Sequence, residues 1–142
     1  MMKKAYIPIF FSVLLSACTS IQVSPIDAAL DVQHICIQNN SRVQVEDFVS
    51  VLEEGFARHG VTTELFSSKK PEGCEYVLTY TALRSWDLSP YLSHAELRIT
   101  KNNRRVAEAT YHLEGKGGLS LMKWEGTKAK MDPVIDQLFG KK

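Results

Sequence analysis

Apolar and polar positions repeat with two different periods along this chain. Between residues 41 and 60, apolar side chains recur every three to four positions, which predicts a helix. Its expected start is Ser41, an N-cap that forms a capping box with Gln44, and its expected end is Gly60 in left-handed geometry. The predicted stripe of this helix comprises Val45, Phe48, Val49, Leu52, Phe56 and His59.

Alternation of apolar and polar residues, or a short apolar centre, marks five segments as strands. The predicted strands are 32–37, 61–66, 74–86, 91–100 and 105–113. In the longest strand, Tyr76, Leu78, Tyr80 and Ala82 are expected to share one face. The segment 87–90 is expected to break that strand, and 101–104 is a predicted hairpin turn because asparagine tolerates positive φ.

A second helix is predicted from about Trp124 to Phe139, with its apolar stripe at Trp124, Met131, Ile135 and Leu138. Pro133 should kink this helix or mark a second start with Asp132 as cap. The predicted element order is therefore β-α-β-β-β-β-α. This order favours an α+β fold, a two-layer sandwich in which two helices cover one face of a mostly antiparallel sheet.

The N-terminus has the three parts of a secretory signal. Lys3 and Lys4 precede an apolar run over 5–15, which is too short to span a bilayer core. Leu15-Ser16-Ala17-Cys18 then matches a lipobox, in which the chain is cleaved before a cysteine whose thiol takes lipid. The sequence thus predicts a signal peptide over 1–17, a lipidated tether over 18–30 and one periplasmic α+β domain over 31–142.

A lipid on Cys18 would attach the domain to a membrane stably, since two or more acyl chains hold a protein far better than one. Thr19 follows in place of the Asp that retains lipoproteins at the inner membrane of enteric-type bacteria. We therefore expect an outer-membrane location, facing the periplasm, in a Gram-negative bacterium.

Removal of the signal leaves 125 of the 142 residues, enough for one domain with a buried core. Without Lys3 and Lys4, 15 Lys and Arg stand against 16 Asp and Glu, a net charge of −1. No basic face indicates a nucleic-acid partner.

Cys36 and Cys74 form the second candidate site, because both would lie in an oxidising compartment. A structural disulfide is the favoured interpretation, and it would close a long loop. A metal site and a redox pair are the alternatives, but the close ligand spacing usual for metal sites is absent around these cysteines.

Several short motifs together resemble a family of small, uncharacterised Gram-negative lipoproteins. They are Cys36-Ile37-Gln38-Asn39-Asn40, His59-Gly60, Cys74-x-Tyr76-x-x-Thr79-Tyr80-Thr81, Trp86-Asp87 followed by Tyr91, and Lys123-Trp124. The resemblance covers nearly the whole chain after the signal. It supports the element boundaries and the pairing of the two cysteines, and it implies no catalytic or ligand-binding residue.

The most unusual patch is Trp86 and Asp87 with Tyr91, at the end of the longest predicted strand. An aromatic residue and a carboxylate there could form a ligand cleft or a hot spot for a partner. The simpler interpretation, which we favour, is a tryptophan that packs on the sheet end while Asp87 caps the turn.

Other candidate chemistry is weaker. His94 and His112 could face each other across the hairpin of 91–113, but a metal site needs a third ligand and the sequence does not place one. They are interpreted as strand residues on the solvent face. The glycines of 115–118 lack the order of a phosphate-binding loop. No Ser-His-Asp or paired-carboxylate arrangement has a convincing local signature.

The sequence therefore predicts a non-enzymatic envelope lipoprotein without a cofactor. Its domain would bind or support another envelope component, such as a protein partner. The alternative is a small-ligand or lipid-binding module with a cleft near Trp86 and Tyr91.

Overall fold

The computed structural model describes residues 19–118 and 120–141. Its strands are β1 (Thr19–Ser24), β2 (His34–Gln38), β3 (Thr62–Phe66), β4 (Tyr76–Asp87), β5 (Ser89–Lys101) and β6 (Arg104–Leu113). The helices are α1 (Phe48–Arg58) and α2 (Thr127–Leu138), and two short 3-10 turns lie at Glu114–Gly117 and Leu121–Trp124. Within these residues, no helix is long and apolar enough to cross a membrane.

The six strands form one mixed sheet in the order β1-β6-β5-β4-β2-β3. The pairs β1–β6, β6–β5 and β5–β4 are antiparallel, while β2 runs parallel to both β3 and β4. The predicted α+β sandwich with a mostly antiparallel sheet is confirmed. The β2–β4 junction is short, since only Cys36 with Val77 and Ile37 with Leu78 are paired there.

One hydrophobic core lies between the sheet and the two helices. The predicted inward set of β4 is buried, and it joins buried residues of α1 and α2 in a single cluster. The helices approach closely at Gly55, where an added Cβ would lie 2.4 Å from Ile135 Cδ1. The largest fully buried side chains include Phe48, Phe56, Ile35, Ile37, Leu52, Leu78, Leu97, Ile99, Met131, Ile135 and Leu138.

The prediction of a tether over 18–30 is wrong for residues 19–24. Residues 19–24 form β1, which pairs with β6 from Thr19 opposite Leu113 to Ser24 opposite Glu108. Ile26 also donates its backbone N–H to Leu138 O at 2.8 Å. Ile21 and Val23 pack against the core. Their alternation with polar residues is typical of a strand, but the polar neighbours made the segment resemble a linker in the sequence.

The predicted start of the first helix is also wrong. The helix begins at Phe48 with Asp47 at the N-cap position, and its predicted end near Gly60 (φ 74°) is confirmed. The segment before it is held by other bonds: Asn40 donates its backbone N–H to the Tyr80 hydroxyl at 3.1 Å. The Asp47 carboxylate accepts a bond from Thr127 Oγ1 at 2.8 Å, which links the two helix starts.

The second helix starts later than predicted, because Trp124 belongs to the 3-10 turn and α2 begins at Thr127. It continues through Pro133 as one element, so the predicted second start is absent. The predicted turn at 101–104 is confirmed, with Asn102 and Asn103 both at positive φ (50° and 61°).

Cys36 and Cys74 form a disulfide, as predicted, with their Cα atoms 5.9 Å apart. The bond connects β2 to the residues that lead into the neighbouring strand β4.

Candidate functional site: an apolar end of the sheet

Three segments meet at one end of the sheet. Thr19 pairs with Leu113, so the start of β1 lies beside the end of β6. His112 in turn pairs with His94, so the end of β6 lies near the start of β5. Because β4 and β5 join in a tight turn at Leu88, this turn projects from the same end as Thr19.

This end exposes four large apolar side chains, which we name the apolar end: Trp86, Leu88, Leu121 and Met122. Their exposed fractions are 75%, 85%, 79% and 55%. Trp86 lies near the end of β4 and Leu88 in the β4–β5 turn, and the other two lie in the 3-10 turn that precedes α2. A cluster of exposed large apolar residues at one place typically marks an interaction surface.

Asp87 holds the two parts of the apolar end together. Its carboxylate accepts a bond from the buried Lys123 ammonium, and its backbone carbonyl accepts one from Trp124 Nε1 at 2.8 Å. Lys123 also donates to Gly118 O at 2.9 Å and lies 4.5 Å from the centre of the Trp124 ring. The two hydrogen bonds to Asp87, from Lys123 and from Trp124, fix the 3-10 turn against the β4–β5 turn. Asp87 is therefore a structural residue.

Tyr91 is buried beneath this end and does not share the exposure of Trp86. The ammonium groups of Lys123 and Lys130 lie 6.0 Å and 5.4 Å from the centre of its ring. Lys130 donates to Leu92 O at 2.9 Å and also to Lys123 O. Burial lowers the pKa of Lys130 to about 8, although nearby Glu125 acts in the opposite direction.

The three residues of the predicted patch are therefore neighbours with different roles. Asp87 and Tyr91 both contact Lys123, whereas Trp86 is largely exposed. The expectation that Trp86 packs on the sheet end is wrong. Leu88, Leu121 and Met122 were not identified from the sequence, because an isolated apolar residue in a loop carries no signal of its exposure.

Leu88 is unusual in two respects. Its φ is 63°, in the left-handed region that residues other than glycine, asparagine and aspartate rarely adopt, and its side chain is 85% exposed. Left-handed geometry costs roughly 1–2 kcal/mol per residue. Strain of this kind collects at functional positions. Leu88 therefore combines backbone strain with an exposed apolar side chain.

Replacing Leu88 with glycine should therefore raise the stability of the domain. Relief of about 1–2 kcal/mol of strain exceeds the roughly 0.4–1 kcal/mol lost through greater freedom of the unfolded chain. We expect urea unfolding to show a gain of up to about 1.6 kcal/mol in the free energy of unfolding. The control is Leu121→Gly, which removes an equally exposed leucine without this strain and should give no gain. A loss of stability in Leu88→Gly would contradict the strain argument.

A cleft of about 290 Å³ lies beside the buried Tyr91. It is lined by Tyr91, Leu92, Pro90, Arg84, Thr127 and all of 44–47. Trp86 is not among its lining residues, so the aromatic pair singled out in the sequence does not converge on one pocket. A second cleft of about 270 Å³ adjoins Thr19 and is lined by Ile21, Tyr111, Leu113 and Met122 among others. Burial raises the pKa of Tyr111 to about 12.

His94 and His112 face each other across β5 and β6 as predicted, with their Nδ1 atoms 3.1 Å apart. The Nε2 atom of His94 lies 3.1 Å from Glu96 Oε1, on the side away from His112. The carboxylate therefore orients the His94 ring and is not a third ligand between the two histidines. Cys18, the predicted lipidation site, lies outside the described residues.

These features define a class of protein: a small α+β domain whose sheet end carries an exposed apolar surface beside its first strand. No protein-family model matches the sequence, and comparison with curated proteins gives no match.

Solved structures do share the fold. The PelC dodecamer from Paraburkholderia phytofirmans is similar in two crystal forms, with TM-scores of 0.57 and 0.56 at 11% identity. The likeness covers 84% of this chain and 93% and 95% of the PelC chains. A PDZ domain protein from Parabacteroides distasonis has a TM-score of 0.49 at 9% identity, covering 92% of this chain and 39% of that one. At these identities the PelC comparison shows the fold alone.

Proposed function

We propose that the protein is a non-enzymatic lipoprotein of the cell envelope that is anchored through lipid on Cys18. It resides at the outer membrane and faces the periplasm. Its apolar end binds or supports another envelope component at the membrane surface. The observation that carries this proposal is the placement of the apolar end and Thr19 at the same end of the sheet.

The absence of a tether over residues 19–24 strengthens this argument. Thr19 is already paired with Leu113 in the sheet, and it directly follows Cys18 in the sequence. Consecutive Cα atoms are about 3.8 Å apart, so a lipid on Cys18 would hold this end of the domain against the bilayer. The component bound there would therefore be the lipid surface or a protein embedded in it.

The composition of the apolar end suits this location. Tryptophan is enriched at membrane interfaces, where its ring is apolar and its N–H stays hydrated. On binding, each exposed leucine or methionine would contribute about 25 cal/mol of favourable free energy per Å² of apolar surface removed from water. In the isolated domain these side chains gain nothing from their exposure, so a binding surface explains them best.

A small-ligand or lipid-binding module is the second candidate. The cleft of about 290 Å³ beside Tyr91 favours it, since pockets of about 300–1,000 Å³ are usual for small molecules. It ranks second because Trp86 and Leu88, the most exposed apolar residues at the β4–β5 junction, lie outside that cleft.

Photo-crosslinking in cells tests the leading proposal. A photoreactive amino acid replaces Leu88 in one variant and Asn103 in another. These residues occupy the turns at the two opposite ends of β5. We expect position 88 to give adducts with lipid or with an outer-membrane protein, and position 103 to give few.

The same experiment can also contradict the leading proposal. Equal yields at the two positions, or a higher yield at 103, would show that the apolar end is not the contact surface. Adducts at position 88 with a soluble small molecule alone would favour the second candidate.

A further inference from the structure

We propose that reduction of the Cys36–Cys74 disulfide creates a Zn²⁺ site of four ligands. The ligands are Cys36 Sγ, Cys74 Sγ, His34 Nε2 and a carboxylate oxygen of Glu64. These donor atoms all lie within 4.8 Å of one another. The inference does not depend on the proposed function, because it concerns the opposite edge of the sheet.

The parallel pairing of β2 and β3 brings the ligands together. His34 and Cys36 are two residues apart in β2, so both lie on the face opposite the core residues Ile35 and Ile37. Cys36 pairs directly with Glu64 of β3. The disulfide adds Cys74 from the segment before β4. The sequence did not reveal this group because its four members are contributed by three separate segments.

The distances already suit a tetrahedral zinc ion. His34 Nε2 lies 3.6 Å from Cys36 Sγ and 3.6 Å from Glu64 Oε2. Zinc bonds of about 2.0–2.3 Å place neighbouring tetrahedral ligand atoms about 3.3–3.8 Å apart. The two sulfur atoms must move apart to become separate ligands, and breaking their bond allows this.

His34 is held in the orientation that a ligand needs. Its Nδ1 lies 2.7 Å from Thr62 Oγ1, and the Thr62 hydroxyl donates to Gln33 O at 3.2 Å. Because the hydroxyl proton is used in that bond, Thr62 accepts from the Nδ1–H of His34. The lone pair of Nε2 then faces the sulfur atoms. Metal-binding histidines are commonly oriented by such a bond from the other ring nitrogen.

The burial pattern leaves a route for the ion. Both cysteines are buried, whereas the side chains of His34 and Glu64 are 41% and 52% exposed. Zinc can therefore approach from the side of His34 and Glu64.

The redox step is a balanced dithiol–disulfide exchange. A dithiol reductant supplies two electrons and two protons, the Cys36–Cys74 S–S bond breaks, and the reductant becomes a disulfide. Zinc binding then displaces the two thiol protons, since the thiolate is the ligand. The oxidised form offers no thiolate, so the oxidation state of this pair controls metal binding.

Cobalt titration of the mature protein in detergent tests this inference, with Co²⁺ as a spectroscopic substitute for Zn²⁺. A phosphine reduces the disulfide and takes oxygen from water to become the phosphine oxide. We expect one equivalent of tetrahedral Co²⁺ with thiolate charge-transfer absorption after reduction, displaced by Zn²⁺, and no such absorption before reduction.

Variants of the site and of a distant histidine decide the outcome. His34→Gln and Glu64→Gln should each weaken binding at least tenfold, and Thr62→Val should weaken it about 10–100-fold by releasing the His34 ring. His112→Gln is the matched control and should bind as the unaltered protein does. Absence of Co²⁺ binding in the reduced protein, or equal affinity in His34→Gln and Glu64→Gln, would overturn the proposal. Unfolding on reduction that Zn²⁺ does not reverse would also overturn it.

Discussion

Replacing both Cys36 and Cys74 with alanine should lower the free energy of unfolding by about 4 kcal/mol. The disulfide closes a loop with a sequence separation of 38, and the chain-entropy model assigns a loop of this length about that value. Domains of this kind are typically stable by about 5–15 kcal/mol, so the loss is a large share of the total.

The topology adds a second reason for a large effect. Strands β2 and β3 are paired with each other over five residues, but β2 is paired with β4 at only two positions. The disulfide therefore reinforces the narrowest junction of the sheet. Without it, we expect β2 and β3 to separate from β4 more readily than β4 separates from β5.

Urea unfolding of the oxidised protein and of the double-alanine variant measures this difference. Hydrogen exchange should show the greatest loss of protection in β2 and β3. The control is addition of a reductant, which should destabilise the unaltered protein and leave the variant unchanged. Equal unfolding midpoints for the oxidised unaltered protein and the double-alanine variant would contradict the prediction.

Periodicity predicted most of the sheet because its strands bury one face and expose the other. The alternation of β4, β5 and β6 is strong, and the Asn102–Asn103 turn between the last two strands has a definite chemical signature. The pairing of Cys36 with Cys74 also followed from the sequence, because the two cysteines were left without another partner.

The errors arose where tertiary contacts outweigh local preference. Ser41 and Gln44 form a plausible helix start, yet Asn40 is bonded to Tyr80 of β4 and the chain reaches helical geometry only at Phe48. Thr19–Ser24 contains polar residues typical of a linker, but an open edge of β6 is available to pair with it.

The candidate surface was predictable only in part. Trp86 was singled out because an aromatic residue and a carboxylate lie together at a strand end, but its exposure depends on the β4–β5 turn. Leu121 and Met122 join it because Lys123 and Trp124 bind Asp87, and this long-range contact has no local signal in the sequence.

Replacing Cys18 with alanine should remove the protein from the outer membrane almost completely. Each buried CH₂ of an acyl chain contributes about 0.8 kcal/mol, and a second chain turns marginal binding into stable attachment. The four side chains of the apolar end cannot substitute for several acyl chains. We expect an unprocessed or mislocalised precursor that does not incorporate radiolabelled fatty acid. Leu88→Gly is the control, since it alters the apolar end and should keep the lipid label.

Mass spectrometry of the N-terminal peptide tests the anchoring of this protein most directly. The protein is purified from the outer-membrane fraction, and the mass of the peptide that begins at residue 18 is determined. The account predicts a chain that starts at Cys18 and carries a diacylglyceryl group on the thiol and a further acyl chain on the amine. An unmodified Cys18, a retained 1–17 segment, or mature cleaved Cys18→Ala protein in the soluble periplasm would contradict it.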